Sequence, residues 1–341
     1  MPPDARASSV LPPAPPRFQR LAVLGAWAPH RSEDAIVRSA RRLGLAARPF
    51  DVLRQTRRFG RLGRSLVERA VERFDPDFIL CTRHAWLLGP ERLARLLRGR
   101  ASAFWYFDAH EVPGVVELAR LCDAMYTTYA NQREHYLAQG VAVVRFLPQA
   151  LDADLEKPAE RILPADICEV SFVGSGQYPY RWPLLERVAR EFTLQIHGPG
   201  WEGAPRTLPV VGGAVYTTRL AEVIAGAAVS LGANSVPAQD SERASASDRM
   251  WKVMACGGAY VGPYVRDIEA LAQDRIHCRW YRSADECIAV IGELLANPAE
   301  RKAMAERGRA HALAHHSYDA RLPVLLSGGE QSLDATSQTV R

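Results

Sequence analysis

The sequence predicts an α/β protein built from two Rossmann-like, doubly wound domains that face each other across a cleft. Three observations carry that prediction. Short continuous apolar runs alternate with amphipathic helical stretches, the pattern of parallel strands covered by helices on both faces. The rhythm pauses once, in the polar, proline-containing stretch QALDADLEKPAERILPAD at 149–166, and then resumes. At 341 residues the chain is long enough for two cores.

In the first half, RLAVLGA (20–26) reads as a buried strand, and Ser32, followed by Glu33 and Asp34, opens a helix over 32–43. A helix over 61–74 precedes the turn and strand DPDFILCT (75–82). Further helix–strand pairs follow: 90–98 with ASAFWYF (101–107), 114–121 with AMYTTY (124–129), and 131–139 with VVRFLP (143–148). After the pause, strands are expected at 167–174, 192–198, 227–233, 257–262 and 277–281. Helices are expected at 181–191, 217–226, 247–256, 266–272, 283–296 and 298–315. The division that results is a Pro-rich disordered leader at 1–17, a first domain at 18–150 and a linker at 151–166. A second domain at 167–315 follows, then a helix at 316–326 returning towards the first domain, and a disordered polar tail at 327–341.

Composition excludes several classes. No run approaches the roughly 18–20 apolar residues that span a bilayer. The leader lacks an apolar signal core, so a cytoplasmic location is expected. The six cysteines form no C-x-x-C pair, which argues against a zinc site or a disulfide framework. Net charge is uneven: residues 1–100 carry +11 and the remainder −6. Much of the excess lies in RQTRRFGRLGRSLVERAVER (54–73), whose seven arginines run from Arg54 to Arg73. Part of it is an amphipathic basic helix. It suits an anionic acceptor such as an anionic or lipid-linked glycan at the inner membrane surface, or a nucleic acid. Little aromatic interleaving and no nucleic-acid motif weaken the last option.

Open α/β sheets bind ligands beyond the carboxyl ends of their strands, so polar residues at strand ends are the candidates. In the second half, FVGSGQYPYR (172–181) places Gly174, Ser175 and Gly176 in a strand-to-helix turn, with Arg181 opening the helix. Such a turn is able to offer backbone N–H groups to phosphate. Pro179 breaks the dinucleotide fingerprint, which argues against an NAD-dependent oxidoreductase. IHGPGW (196–201) adds His197, and the small polar loop from 231 to 249 adds Asn234.

SASDRMWKVMACGGAYV (245–261) is the most informative segment. Ser247 or Asp248 caps a helix whose first turn is expected to hold both Arg249 and Lys252. Two cations there oppose the helix dipole, and a bound diphosphate would reconcile them. Gly257 and Gly258 end this helix. In the first half, WYFDAHE (105–111) places Asp108, His110 and Glu111 past a buried strand, as candidates to accept an acceptor hydroxyl proton or to steady positive charge on a sugar. His30 and Arg31 after the first strand, and Arg83 and His84 after the third, are further acceptor-side candidates.

The FVGS loop at 172–175, the glycine turn at 197–200, the S-D-R-x-x-K-x-x-A-C-G-G block at 247–258 and HHSYDAR at 315–321 resemble the C-terminal domain of GT-B-fold glycosyltransferases, especially the CgeB-like group once tied to spore maturation. The resemblance covers about 168–326 and, more loosely, 20–150. It implies a nucleoside-diphosphate sugar as donor substrate, a hydroxyl acceptor, no required cofactor and no metal. It also implies that Glu269 is a ribose-binding acid. Lys252 stands where many of the class have a donor-contacting glutamate. Fold likeness leaves one alternative, a non-catalytic protein that binds nucleotide sugars or nucleic acid.

Overall fold

The computed structural model describes residues 17–233 and 247–333. Asn234, most of the expected leader and the last residues of the expected tail lie outside them. The first lobe is a six-stranded, wholly parallel sheet. Its strands are β1 (Arg20–Gly25), β2 (Ala46–Asp51), β3 (Phe78–Cys81), β4 (Ala101–Tyr106), β5 (Ala124–Thr127) and β6 (Val144–Phe146), in the order β2-β1-β3-β4-β5-β6. The second lobe repeats the plan with β7 (Cys168–Val173), β8 (Leu194–His197), β9 (Val210–Gly212), β10 (Ala227–Leu231), β11 (Tyr260–Pro263) and β12 (Arg279–Tyr281), in the order β12-β11-β10-β7-β8-β9. Each order reverses direction at one point, beside β1 and β3 in the first lobe and beside β7 and β10 in the second. Strand ends splay apart at such points and leave a crevice.

Alternation along the strands builds two helical layers per sheet. In β4, Phe104 and Tyr106 join one core, with Val67 and Val71 of α2 (Val52–Phe74) and Leu93 of α3 (Pro90–Leu97). Ala103 and Trp105 face the other way, towards Ile36 of α1 (Ser32–Arg42) and Leu322 of α11 (Tyr318–Leu326). The sequence pattern misses β2 and β9. Both are sheet edges, and their residues (AARPFD and VVG) are mostly exposed or half-buried, so neither shows an apolar run. It also starts α2 too late. The helix begins at Val52 and bends at Gly60, whose φ of 53° breaks the helical period there.

The chain crosses between the lobes twice, and the crossings clasp each other. Leu151 N donates to the His316 carbonyl at 3.0 Å, and Tyr318 N donates to the Leu151 carbonyl at 2.9 Å. The segment expected as a plain linker is therefore anchored. Within it Asp152, 2% exposed, pairs with Arg38, and its N–H donates to the buried Glu156 carboxylate at 2.6 Å. The last helix belongs to the first lobe: the Tyr126 hydroxyl donates to the Leu325 carbonyl at 3.1 Å. Residues 327–333, expected as the start of a disordered tail, turn back on that lobe instead. Gln331 N donates to the Phe146 carbonyl at 2.9 Å, a partner that polar composition alone does not disclose. Because α11 closes the first core, Leu322→Ala is expected to cost about 2–5 kcal/mol of unfolding free energy, read by chemical denaturation; a loss within experimental error would show that the helix is dispensable to that core.

Candidate active site

Beyond the first lobe's switch point lies an interlobe cavity of about 290 Å³. One wall comes from the first lobe: residues 30–33 after β1, Thr82, Arg83 and His84 after β3, and Phe107 and Asp108 after β4. The facing wall comes from the second lobe: Tyr216, which precedes α7 (Thr217–Gly226), and Asp248 and Lys252 of α8 (Asp248–Ala255). The His30 and Tyr216 rings stack across the gap, 3.9 Å between centroids. The structure thus brings together His30, Arg31, Arg83, His84, Asp108, Asp248 and Lys252.

Glu33, Thr82, Gln149 and Tyr216 line the same cavity, and sequence reasoning assigned none of them to it. Glu33 is 5% exposed; Thr82 Oγ1 donates to its Oε1 at 2.8 Å and Ala26 N at 3.4 Å. Gly25 makes room for this pair, since a Cβ there would stand 2.2 Å from Thr82 Oγ1. The signal was available: an acid one residue inside a helix that follows the first strand of an open sheet. It read only as a helix-start residue.

Of the three expected catalytic groups, only Asp108 reaches the cavity, paired with Arg83 at 2.8 Å. Glu111 turns to α5 (Gln132–Ala138) and the residue after it, held by His135 Nε2 at 2.9 Å and Gln139 Nε2 at 2.8 Å, and these bonds lower its pKa. His110 is exposed, and its carbonyl accepts from the Tyr106 hydroxyl. The strand ends at Tyr106, so beyond it the regular alternation of side chains is lost and position after the strand no longer fixes direction.

A second group of cations sits at the end of β7. The Arg249 guanidinium lies 4.9 Å over the Phe172 ring and donates to the Ala233 carbonyl at 3.4 Å. Arg181, 4% exposed, approaches the same ring at 5.8 Å and stacks on Tyr178 at 4.5 Å, while Nη1 donates to the Ser175 carbonyl at 3.0 Å. Burial, followed by repulsion from Arg249, lowers the Arg181 pKa to about 10. Two crowded guanidiniums beside a strand end form a positive field suited to an anion.

Several expectations for this region are corrected. Gly174 and Gly176 do not offer their N–H groups to a ligand, because those groups donate to the His197 and Pro199 carbonyls at 2.8 and 2.9 Å. Their role is steric. A Cβ on Gly174 would stand 2.5 Å from an Arg249 nitrogen, and one on Gly176 would stand 2.4 Å from the Gly200 carbonyl. The turn carrying Ser175 is thus locked against the 198–201 turn, where Trp201 Nε1 donates to the Gly174 carbonyl at 3.1 Å. The His197 side chain is buried near Arg219 and Asp166, away from Arg249, because alternation along β8 gives Ile196 the face that packs on Phe172.

In α8, Ser247 is the cap, its Oγ accepting from Arg249 N at 3.4 Å. Lys252 is the fifth helical residue, beyond the first turn, and pairs with Asp248 at 2.8 Å. Burial would lower its pKa, but Asp248 and Glu156 outweigh burial and raise it. The two cations therefore do not share one anion-binding face: Arg249 leans on β7 and Lys252 faces the cavity. Gly257 and Gly258 lie at the opposite end of α8. Gly257 has φ 84°, and Gly258 packs so closely that a Cβ would stand 2.5 Å from Ile224. Glu269 is exposed on the turn at Ile268–Ala270 and accepts from Asp274 N at 3.4 Å.

Charge also sets protonation in the cavity. Burial, then the Arg83 and Arg31 charges, lowers the His84 pKa to about 4, so this imidazole is neutral at pH 7. The unfolded chain binds that proton near pH 6.5. The native state is therefore favoured above that value and loses this contribution as pH falls towards about 4. His84→Asn is expected to lose less stability than the parent chain between neutral and mildly acidic pH, measured by denaturant unfolding; equal losses would show that His84 is protonated in the folded state.

Comparison with known proteins agrees with this architecture. No curated protein sequence matches the chain. Residues 181–327 match a family model described as glycosyl transferase-like. Among solved structures, the fold is similar to HepE of Anabaena in complex with UDP-glucose, at TM-score 0.63 and 12% identity, covering 92% of this chain and 100% of that one. It is similar to an alpha-glucosyltransferase in complex with UDP, at TM-score 0.65 and 11% identity, covering 90% and 98%. It is also similar to sucrose-phosphate synthase from Thermosynechococcus elongatus, at TM-score 0.60 and 14% identity, covering 91% and 97%. Two parallel six-stranded sheets with flanking helices, set face to face across a cavity, give this chain the GT-B fold of glycosyltransferases.

Proposed function

We propose that the chain transfers a hexosyl group from a nucleoside-diphosphate sugar to an acceptor hydroxyl, without a metal, and that it is a cytoplasmic member of the CgeB-like group. The observation that carries this reading is the pairing of two sites on one short helix. Arg249 crowds Arg181 at the end of β7, while Asp248 and Lys252 form a wall of the interlobe cavity. A diphosphate held by the guanidiniums would direct its sugar towards that cavity. UDP is the first nucleotide to test, because similar structures were obtained with UDP or UDP-glucose.

In this reading the bond between the anomeric carbon and the diphosphate oxygen breaks, and the acceptor oxygen bonds to that carbon. The diphosphate leaves with the bonding electrons, and the Arg181 and Arg249 charges stabilise it. Such fixed electrostatic help, which needs no reorganisation, is often the largest catalytic contribution. Asp108 takes the acceptor proton, and Arg83 orients it. Glu33 and the neutral His84 contact the hydroxyls of sugar and acceptor. Closing the lobes around the His30–Tyr216 stack excludes water and aligns the reactants.

A thermal-shift screen of nucleoside diphosphates and their sugars, followed by turnover of the best donor, tests the proposal. Arg249→Ala is expected to lower kcat/KM about 10²–10³-fold and to weaken the donor-induced rise in Tm. Asp108→Asn is expected to preserve that rise while lowering kcat. Donor binding with no hydrolysis or transfer would favour a non-catalytic nucleotide-sugar-binding protein; no response to any nucleotide would remove both readings.

A further inference from the structure

The arginine-rich helix α2 is not absorbed by the donor or cavity chemistry. From Val52 to Val67 it holds five arginines and no acidic residue. Cations near a helix N-terminus oppose its dipole, so their placement does not serve the helix. The kink at Gly60 makes the segment an elbow rather than a rod. Gly63 is packed so closely against the preceding arm that a Cβ would stand 2.0 Å from the Gln55 carbonyl. Phe59, Leu62 and Leu66 project from this elbow, 44%, 63% and 45% exposed. Arg54, Arg57, Arg58 and Arg61 surround them and are exposed, and the Arg58 guanidinium lies 5.2 Å over the Phe59 ring. Asp51 caps the helix start, accepting from Arg54 N at 3.0 Å, and Glu68, the first acid inside the helix, is neutralised by Arg92 at 2.8 Å and Arg95 at 2.7 Å.

We infer that this elbow docks the chain on an anionic lipid surface, with Phe59, Leu62 and Leu66 entering the boundary between headgroups and acyl chains and the arginines meeting lipid phosphates. The combination decides the partner. Phosphate alone would reward the arginines and leave three large apolar side chains in water, whereas a bilayer interface rewards both. The lone aromatic of the elbow offers no platform for stacking successive bases. Its placement also fits an interfacial acceptor. The elbow follows β2, at the cavity end of the sheet, and Arg57 is close enough to depress the His84 pKa. The inference deepens the proposed function by naming the surface from which the acceptor is met, and only that last step rests on the transferase reading.

Vesicle flotation of the full chain without donor keeps the two claims separable. At about 0.1 M salt, the chain is expected to float with equimolar phosphatidylcholine–phosphatidylglycerol vesicles and not with phosphatidylcholine alone. Raising the salt should release it. Arg58→Glu/Arg61→Glu is expected to lower the partition coefficient at least about 25-fold, taking roughly fivefold per arginine. Phe59→Ser/Leu62→Ser/Leu66→Ser is expected to lower it at least about tenfold. All five residues are exposed, and unchanged Tm values would confirm that both variants fold. Equal affinity for the two vesicle types, binding to neither, or binding unaffected by either set of changes would overturn the inference. So would tighter binding to single-stranded DNA that is lost with the arginine changes and kept with the apolar ones. Loss of vesicle binding in both variants with transferase turnover absent would support docking and count only against the enzymatic reading.

Discussion

Two guanidiniums share one aromatic ring at the end of β7, and much of the second lobe is arranged around that crowding. Arg249 covers Phe172 because Gly174 leaves no side chain in its way. Arg181 is buried beside it because the Gly174–Gly176 turn is interlocked with the glycine turn after β8, which fixes the start of the following helix. Two guanidiniums this close, one of them buried, give the strand end a positive field, the electrostatics that suit an anion. The arrangement sits where an open parallel sheet leaves a crevice, beside the strand pair at which its order reverses.

The same short helix joins this positive site to the interlobe cavity. Its cap, Ser247, and first residue, Asp248, satisfy the helix start, and Asp248 also holds Lys252 against the cavity wall. Opposite, the first lobe presents Asp108 on Arg83, and Glu33 bonded to Thr82. The lobes meet through a ring stack and a clasped double crossover, and Ala130 and Phe146 of the first lobe join the buried cluster that holds Met250 and Trp251 of the second. Because α11 returns to pack beneath Trp105, the second lobe is tied into the core of the first.

The fold was legible because buried parallel strands announce themselves as continuous apolar runs. β1, β4 and β7 show this directly, whereas β2 and β9 escaped because edge strands need little apolar sequence. At the site, strand-end logic singled out His30, Arg83, His84 and Asp108, since it depends only on where strands stop. It failed where direction mattered. Glu111 and His110 follow Asp108 but turn elsewhere once the chain leaves the sheet. Gly257 and Gly258 share a motif with Arg249 but serve the other end of its helix. Lys252 read as an uncompensated cation until its distance from the helix start and its pairing with Asp248 became visible. Tyr216 was beyond reach, because a stack between lobes leaves no local pattern.

We propose that Arg181 and Arg249 are brought together to hold a diphosphate. Titration calorimetry of the chain with uridine, UMP and UDP isolates that term, since the three ligands share a base and ribose and differ in phosphate. Affinity is expected to rise steeply from uridine to UDP, by at least about 100-fold, in line with two charge-assisted contacts. Arg249→Ala is expected to remove most of the rise and leave uridine binding unchanged. Equal affinities for uridine and UDP, or a rise that survives Arg249→Ala, would contradict it.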